Sequence, residues 1–226
     1  MRYHACITRS IIIIYFICTA SAGIAQFKAG SVNWTKDGTG LYEIQDNMLL
    51  RINPLSAQQV TVLATATQLT PREKDKPLTI ADFEISPDEN ILLIFTNTAR
   101  VWRYNTRGDY WILNRGTGQL KQIGKDKPSQ SLMYAKLSPD GKKVGYVSNH
   151  NIYTEDIDSG NTIALTTNGN RQLINGTFDW VYEEELGCRD GFRWSGDSKN
   201  IAYWQVDATG TRDYLMLNTT DSIYSF

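Results

Sequence analysis

The stretch "LSPDGKKVGYV", Leu137–Val147, decides the fold because its pattern occurs four times. "WTKDGTGLYEI" starts at Trp34, "ISPDENILLIF" at Ile85 and "WSGDSKNIAYW" at Trp194. Each copy is an apolar residue, Ser or Thr, a polar turn centred on Asp, and a short apolar strand. The Ser/Thr positions 35, 86, 138 and 195 are separated by 51, 52 and 57 residues. Between copies, "NMLLRINPLSAQQVTVL", "GDYWILNRGTGQLKQI" and "HNIYTEDIDSGNTIALT" each read as strand, turn and strand, with Asn, Gly, Pro or Ser in the turn.

Each unit of about fifty residues therefore offers about four short antiparallel strands, the pattern of a propeller blade. The expectation is an all-β chain, a β-propeller of four-stranded antiparallel blades. A β-sandwich has similar strand spacing but does not call for one turn motif at a near-constant interval. Period-two alternation over Asn151–Ile157 predicts a half-buried strand. No long amphipathic helix is expected after the first 25 residues.

Those first 25 residues differ from the rest. Arg2 and Arg9 precede the uncharged "IIIIYFICTASAGIA", which ends in small residues. This core is short for a membrane span of about 20 residues and reads as a signal peptide cleaved near Ala25, in preference to an anchor at residues 11–25. The expectation is a secreted or periplasmic folded part over 26–226. Removing Arg2 and Arg9 leaves 21 basic against 24 acidic residues, a formal charge of −3. That balance, without a basic run interleaved with aromatics, argues against nucleic acid as a partner. Cys6 and Cys18 leave with the leader, so Cys188 stands alone. A disulfide within the mature chain and a metal site built on cysteine pairs are thereby excluded, and no cofactor or metal is expected.

The segment Leu173–Asp190 departs from the repeat and contains "FDWVYEEEL", Phe178–Leu186. Asp179 can cap a short helix opening on Trp180-Val181-Tyr182-Glu183. Glu183, Glu184 and Glu185 then follow an apolar run that is expected to be buried. One reading is a solvated helix start with Trp180 pinned into the propeller. The other is a binding site: two carboxylates about 4 Å apart repel by about 4 kcal/mol at an effective dielectric near 20, so a cation should compensate. A peptide's α-ammonium group is such a cation and donates three hydrogen bonds.

"DWVYEEEL" closely resembles the double-glutamate segment of the dipeptidyl peptidase IV family, and "VWRYNTRGDYWI", Val101–Ile112, resembles the segment that carries that family's substrate-contacting arginine. "FRWSGDSKNIAYWQVDA" and "LTIADFEISPDENILLIFTNT" extend the resemblance over nearly the whole mature chain. It implies an eight-bladed amino-terminal propeller, about four blades of which lie in this chain, followed by an α/β-hydrolase domain. It further implies a serine-type peptidase releasing dipeptides from substrates with proline or alanine in second place. Glu184 and Glu185 would hold the substrate's amino terminus, Arg103 would reach the carbonyl of its first residue, and Glu183 would be structural. A peptide with a free amino terminus and the missing hydrolase domain are then the partners, with a homodimer of the longer protein compatible with the resemblance.

The chain departs from the family in two respects. Gly187 stands where mammalian members have a bulky aromatic, which changes the outer wall of the pocket. No catalytic residue is expected here: there is no Gly-x-Ser-x-Gly elbow, and His150 reads as a turn residue. Alone, the chain is expected to be inactive. The alternatives are a stand-alone propeller that binds peptides or a protein without catalysis, and a propeller gating an endopeptidase. Glu184 and Glu185 argue against the last, since an endopeptidase does not read a free amino terminus.

Three further marks are weak. Arg107-Gly108-Asp109 spells an integrin-binding tripeptide, read as coincidence. Asn33-Trp34-Thr35, Asn175-Gly176-Thr177 and Asn218-Thr219-Thr220 fit the glycosylation pattern, which counts only in a eukaryote. Cys188 is either a small buried apolar side chain or an exposed thiol.

Overall fold

A computed structural model describes residues 33–212 and residue 220. The leader with Cys6 and Cys18, and the sequon at Asn218, lie outside the described residues.

Three four-stranded antiparallel units follow one another. The first is β1 (Asn33–Trp34), β2 (Leu41–Gln45), β3 (Met48–Asn53) and β4 (Ser56–Ala64), in that spatial order. The second is β5 (Asp82–Ile85), β6 (Ile91–Val101), β7 (Tyr104–Asn114) and β8 (Gln119–Ile123). The third is β9 (Leu132–Leu137), β10 (Lys143–Ser148), β11 (Asn151–Asp156) and β12 (Thr162–Ala164). β13 (Leu173–Asn175), helix α1 (Trp180–Glu185), β14 (Phe192–Trp194), β15 (Ile201–Tyr203) and β16 (Gln205–Asp207) complete the described chain, with β13 on β16 and β14 on β15. This is all-β architecture of propeller type, its one described helix six residues long. No helix among the described residues is long and apolar enough to cross a membrane.

The repeated motif is one hydrogen-bonded device built four times. The hydroxyl of Thr35, Ser86, Ser138 or Ser195 donates to Asp37, Asp88, Asp140 or Asp197 over 2.5–2.6 Å. The same hydroxyl accepts from the amide five residues on at 2.9 Å in every copy. Each Asp also accepts an amide two residues on. The turn needs positive φ at its fourth residue, occupied by Gly38, Glu89, Gly141 and Ser198 at +57° to +69°. Glycine adopts this region freely, whereas other residues there cost about 1–2 kcal/mol. The two that are not glycine are used across a unit boundary. Glu89 accepts from Tyr42 Oη at 2.9 Å and pairs with Arg51 at 3.2 Å. Ser198 Oγ accepts from the amide of Asp140 at 3.0 Å.

The core lies between the units rather than on one side of each. From β6 and β7, Leu92, Ile94, Trp111 and Leu113 pack with Leu49 and Leu63 of the first unit. The alternate residues Ile91, Leu93, Tyr110 and Ile112 pack with Leu132, Val144 and Tyr146 of the third. A sheet buried on both faces reads as a continuous apolar run, which is why "ILLI" and "YWIL" lack alternation. The period-two reading of Asn151–Ile157 is corrected for the same reason: Asn151, Ile152, Glu155 and Ile157 are all buried. Burial of polar atoms there is matched by bonds, such as Glu155 accepting the Gly124 amide at 2.8 Å.

Candidate functional site

β6 and β7 are each eleven residues long, nearly twice the β9–β11 strands, and their far ends form a hairpin that projects beyond the sheet. Val101 faces Tyr104, so Trp102-Arg103 is a two-residue turn, with Trp102 at φ +51°. The register shifts between Thr96 and Ala99 and again before Val101, and such bulges bend and twist a ribbon. Asp109 pins the bend, accepting from Asn97 Nδ2 and the Gln130 amide, both at 2.7 Å. Gly108 and Arg107 pair with Leu132 and Met133, which joins the second and third units into one sheet. Asp109 is therefore 7% exposed and fully engaged, so Arg107-Gly108-Asp109 is a structural element and not a displayed tripeptide.

Helix α1 rises from the segment that breaks the repeat. Asp179 is extended at the N-cap, its carboxylate accepting the Tyr182 amide at 3.0 Å, as the sequence predicts. Gly187, at φ +67°, turns the chain so that the Cys188 amide closes on the Tyr182 carbonyl at 2.9 Å. The burial of this helix reverses the expectation. Trp180, Val181 and Tyr182 are 40–50% exposed, while Glu183 is 4% exposed. Trp180 is not pinned into the propeller; an acid is.

The three glutamates have different surroundings. Glu183 faces Arg189, whose Nε lies 3.6 Å from its Oε1. Burial pushes its carboxyl above the ordinary range, opposed by Arg189 and reinforced by Glu184. The Glu184 side chain is 3% exposed and forms an ion pair with Nε of Arg103, which is itself largely in solvent. The second Glu184 oxygen, Oε1, is buried and has no hydrogen-bond partner among the described residues. Glu185 is exposed. The structure thus brings Arg103, Glu183 and Glu184 together at one place with Glu185 beside them. Two resident arginines answer the charge problem that the triplet poses. One of them, Arg189, escapes a reading of the sequence, although a lone cation six residues past Glu183 is a signal for it.

A cavity of about 620 Å3 adjoins this segment, lined by Trp102, Arg107, Tyr134, His150, Trp180 and Glu183 among others. His150 sits in the β10–β11 turn at φ +61°, and burial lowers its pKa. It is a turn residue, as expected. Cys188 is half-buried, its thiol 3.7 Å from the Leu186 carbonyl. Asn175 is fully buried and bonded to the His150 carbonyl, Asn168 and Gln205, which leaves that sequon closed to modification in the folded chain.

The family described as "Dipeptidyl peptidase IV (DPP IV) N-terminal region" matches residues 86–225, more than half of the chain and all of the Arg103–Glu184 site. The chain belongs to this family. Among curated relatives, prolyl endopeptidase FAP of Homo sapiens is 28% identical over 189 residues, covering 83% of this chain and 24% of the relative. Dipeptidyl peptidase 4 of Arthroderma otae is 29% identical over 208 residues, 90% of this chain and 25% of the relative. The crystal structure of Porphyromonas gingivalis dipeptidyl peptidase 4 superposes with a TM-score of 0.75 at 26% identity, over 85% of this chain and 27% of that one. The chain thus spans about a quarter of the length of these relatives.

Proposed function

We propose that this chain is the amino-terminal propeller portion of a secreted or periplasmic serine-type exopeptidase that removes dipeptides from free amino termini. In this reading Glu184 and Glu185 hold the substrate's ammonium group and Arg103 reaches the carbonyl of its first residue. The hydrolytic residues belong to an α/β-hydrolase domain outside this chain.

The observation that carries the reading is the meeting of Arg103 and Glu184 from separate elements, with one buried Glu184 oxygen left as an acceptor. An ammonium group brings three donors. It can bond that oxygen and the exposed Glu185 while Arg103 keeps one guanidinium edge for a carbonyl. Fixing both groups sets the distance from the amino terminus to the second peptide bond. Catalysis then gains from positioning, which makes remote binding energy serve the chemical step.

The test is dipeptide release from Gly-Pro-p-nitroanilide by the full-length polypeptide that carries this segment, with Glu184→Gln, Glu185→Gln and the double variant. Activity should fall by about two orders of magnitude or more in the double variant. An amino-terminally blocked substrate should not be cleaved. Equal cleavage of blocked and free substrates would favour an endopeptidase, the activity in the human relative's name. Undiminished activity in the double variant would remove the carboxylates from the site.

A further inference from the structure

We propose that Arg189 is the positioning residue that sets the geometry between Arg103 and Glu184. The inference rests on the amino-terminus-binding reading above, and concerns how that site is held together.

Arg103 and Glu184 sit on two supports with little else in common. Arg103 is at the tip of a projecting hairpin whose neighbours Trp102 and Tyr104 are more than half exposed. Glu184 is on a six-residue helix whose apolar first turn is half exposed. Neither support is fixed by deep apolar packing. Besides the Arg103–Glu184 pair itself, the Arg189 side chain spans them. The Arg189 guanidinium lies over the Tyr104 ring, 4.1 Å from its centroid. On its other edges it donates from Nη2 to the Glu183 carbonyl at 3.1 Å and from Nη1 to the Gly187 carbonyl at 3.4 Å, with Nε facing the Glu183 carboxylate at 3.6 Å.

Arg189 therefore touches the residue directly after Arg103 and the residue directly before Glu184. The planar fork is suited to this: one face stacks on an aromatic ring while the edges donate in fixed directions. A lysine ammonium cannot do both. Its buried partner Glu183 gains a structural role as the anchor of the strut. A strut at this point sets how well the ammonium group is held without itself touching substrate.

The experiment uses the same full-length polypeptide and Gly-Pro-p-nitroanilide, with Arg189→Met, Arg189→Lys and Tyr104→Leu, each also made with Glu184→Gln. Arg189→Met should raise KM about tenfold while kcat stays within about threefold, because ground-state binding of the ammonium is what loosens. Arg189→Lys should recover only a small part, and Tyr104→Leu, which removes only the stacking face, should raise KM about threefold. In the Glu184→Gln background the Arg189→Met effect should disappear, since its route is already cut. If Glu184→Gln impairs release but KM is unchanged in both Arg189→Met and Tyr104→Leu, the positioning role is wrong and the amino-terminus reading stands. An Arg189→Met effect that persists in full without Glu184 makes the residue a general structural one and also overturns the proposal. If Glu184→Gln itself has no effect, both readings fall together.

Discussion

Nε of Arg103 is ion-paired with Oε2 of Glu184, an exposed cation at a hairpin tip closing over an almost wholly buried carboxylate on helix α1. The asymmetry sets the energetics. An exposed arginine is rehydrated when the pair is broken, whereas the carboxylate is left in a poorly hydrated place.

Arg103→Met is accordingly expected to destabilise the fold by about 1–3 kcal/mol: solvent screens the arginine, but its loss leaves the buried carboxylate unpaired. The double variant with Glu184→Gln should be less destabilised than the sum of the singles. Urea unfolding of the four proteins in the cycle measures this, and strict additivity would show that the pair contributes nothing.

The helix that carries the triplet depends on its cap. Asp179→Ala should cost about 1 kcal/mol locally and speed hydrogen exchange at the Tyr182 amide, which Asp179 accepts at 3.0 Å. Asp179→Ser should keep most of the protection. Equal protection in the alanine variant would mean that the helix is held by its flanks alone.

Gly108 lies where β7 passes from β9 toward the hairpin. A Cβ there would stand 2.4 Å from the Phe95 ring and 2.7 Å from the Thr96 carbonyl oxygen. Gly108→Ala should therefore destabilise by about 1–3 kcal/mol and weaken substrate binding through the displaced hairpin. A neutral result by thermal unfolding would show that the ring can swing aside at no cost.

The repeated turns should register in acid. The Thr35 and Ser86 hydroxyls, followed by backbone amides, hold the Asp37 and Asp88 carboxyls down at about 2. A folded value below the unfolded one of about 3.9 means that these carboxylates stabilise the fold above that pH. The contribution is lost as pH falls toward about 2. Ser86→Ala removes the largest cause, so the Asp88 titration followed by NMR should move up toward the ordinary range. An unmoved titration would assign the effect to the amides.

The turn motif was legible in the sequence because its chemistry is local. A hydroxyl and a carboxylate two residues apart bond each other in every copy whatever surrounds them. The four copies at a near-constant interval carried the repeat, and with it the all-β propeller class. The Asp179 cap was readable for the same reason. Burial was less legible. Alternation suggested half-buried strands, but units packed on both faces bury alternate residues equally.

What the sequence determined by itself is the set of short-range devices and the residue types available for a site: three adjacent acids and an arginine in a recognisable segment. What only the tertiary structure decided is which cation meets which acid. Arg103 reaches Glu184 because two bulges and the β7–β9 junction aim a long hairpin across to α1. Arg189 takes Glu183 because the turn at Gly187 folds it back beneath the helix. Spacing along the chain does not encode those directions; they follow from bulges, turns and the packing of one unit on the next, which fix where the chain ends up in space.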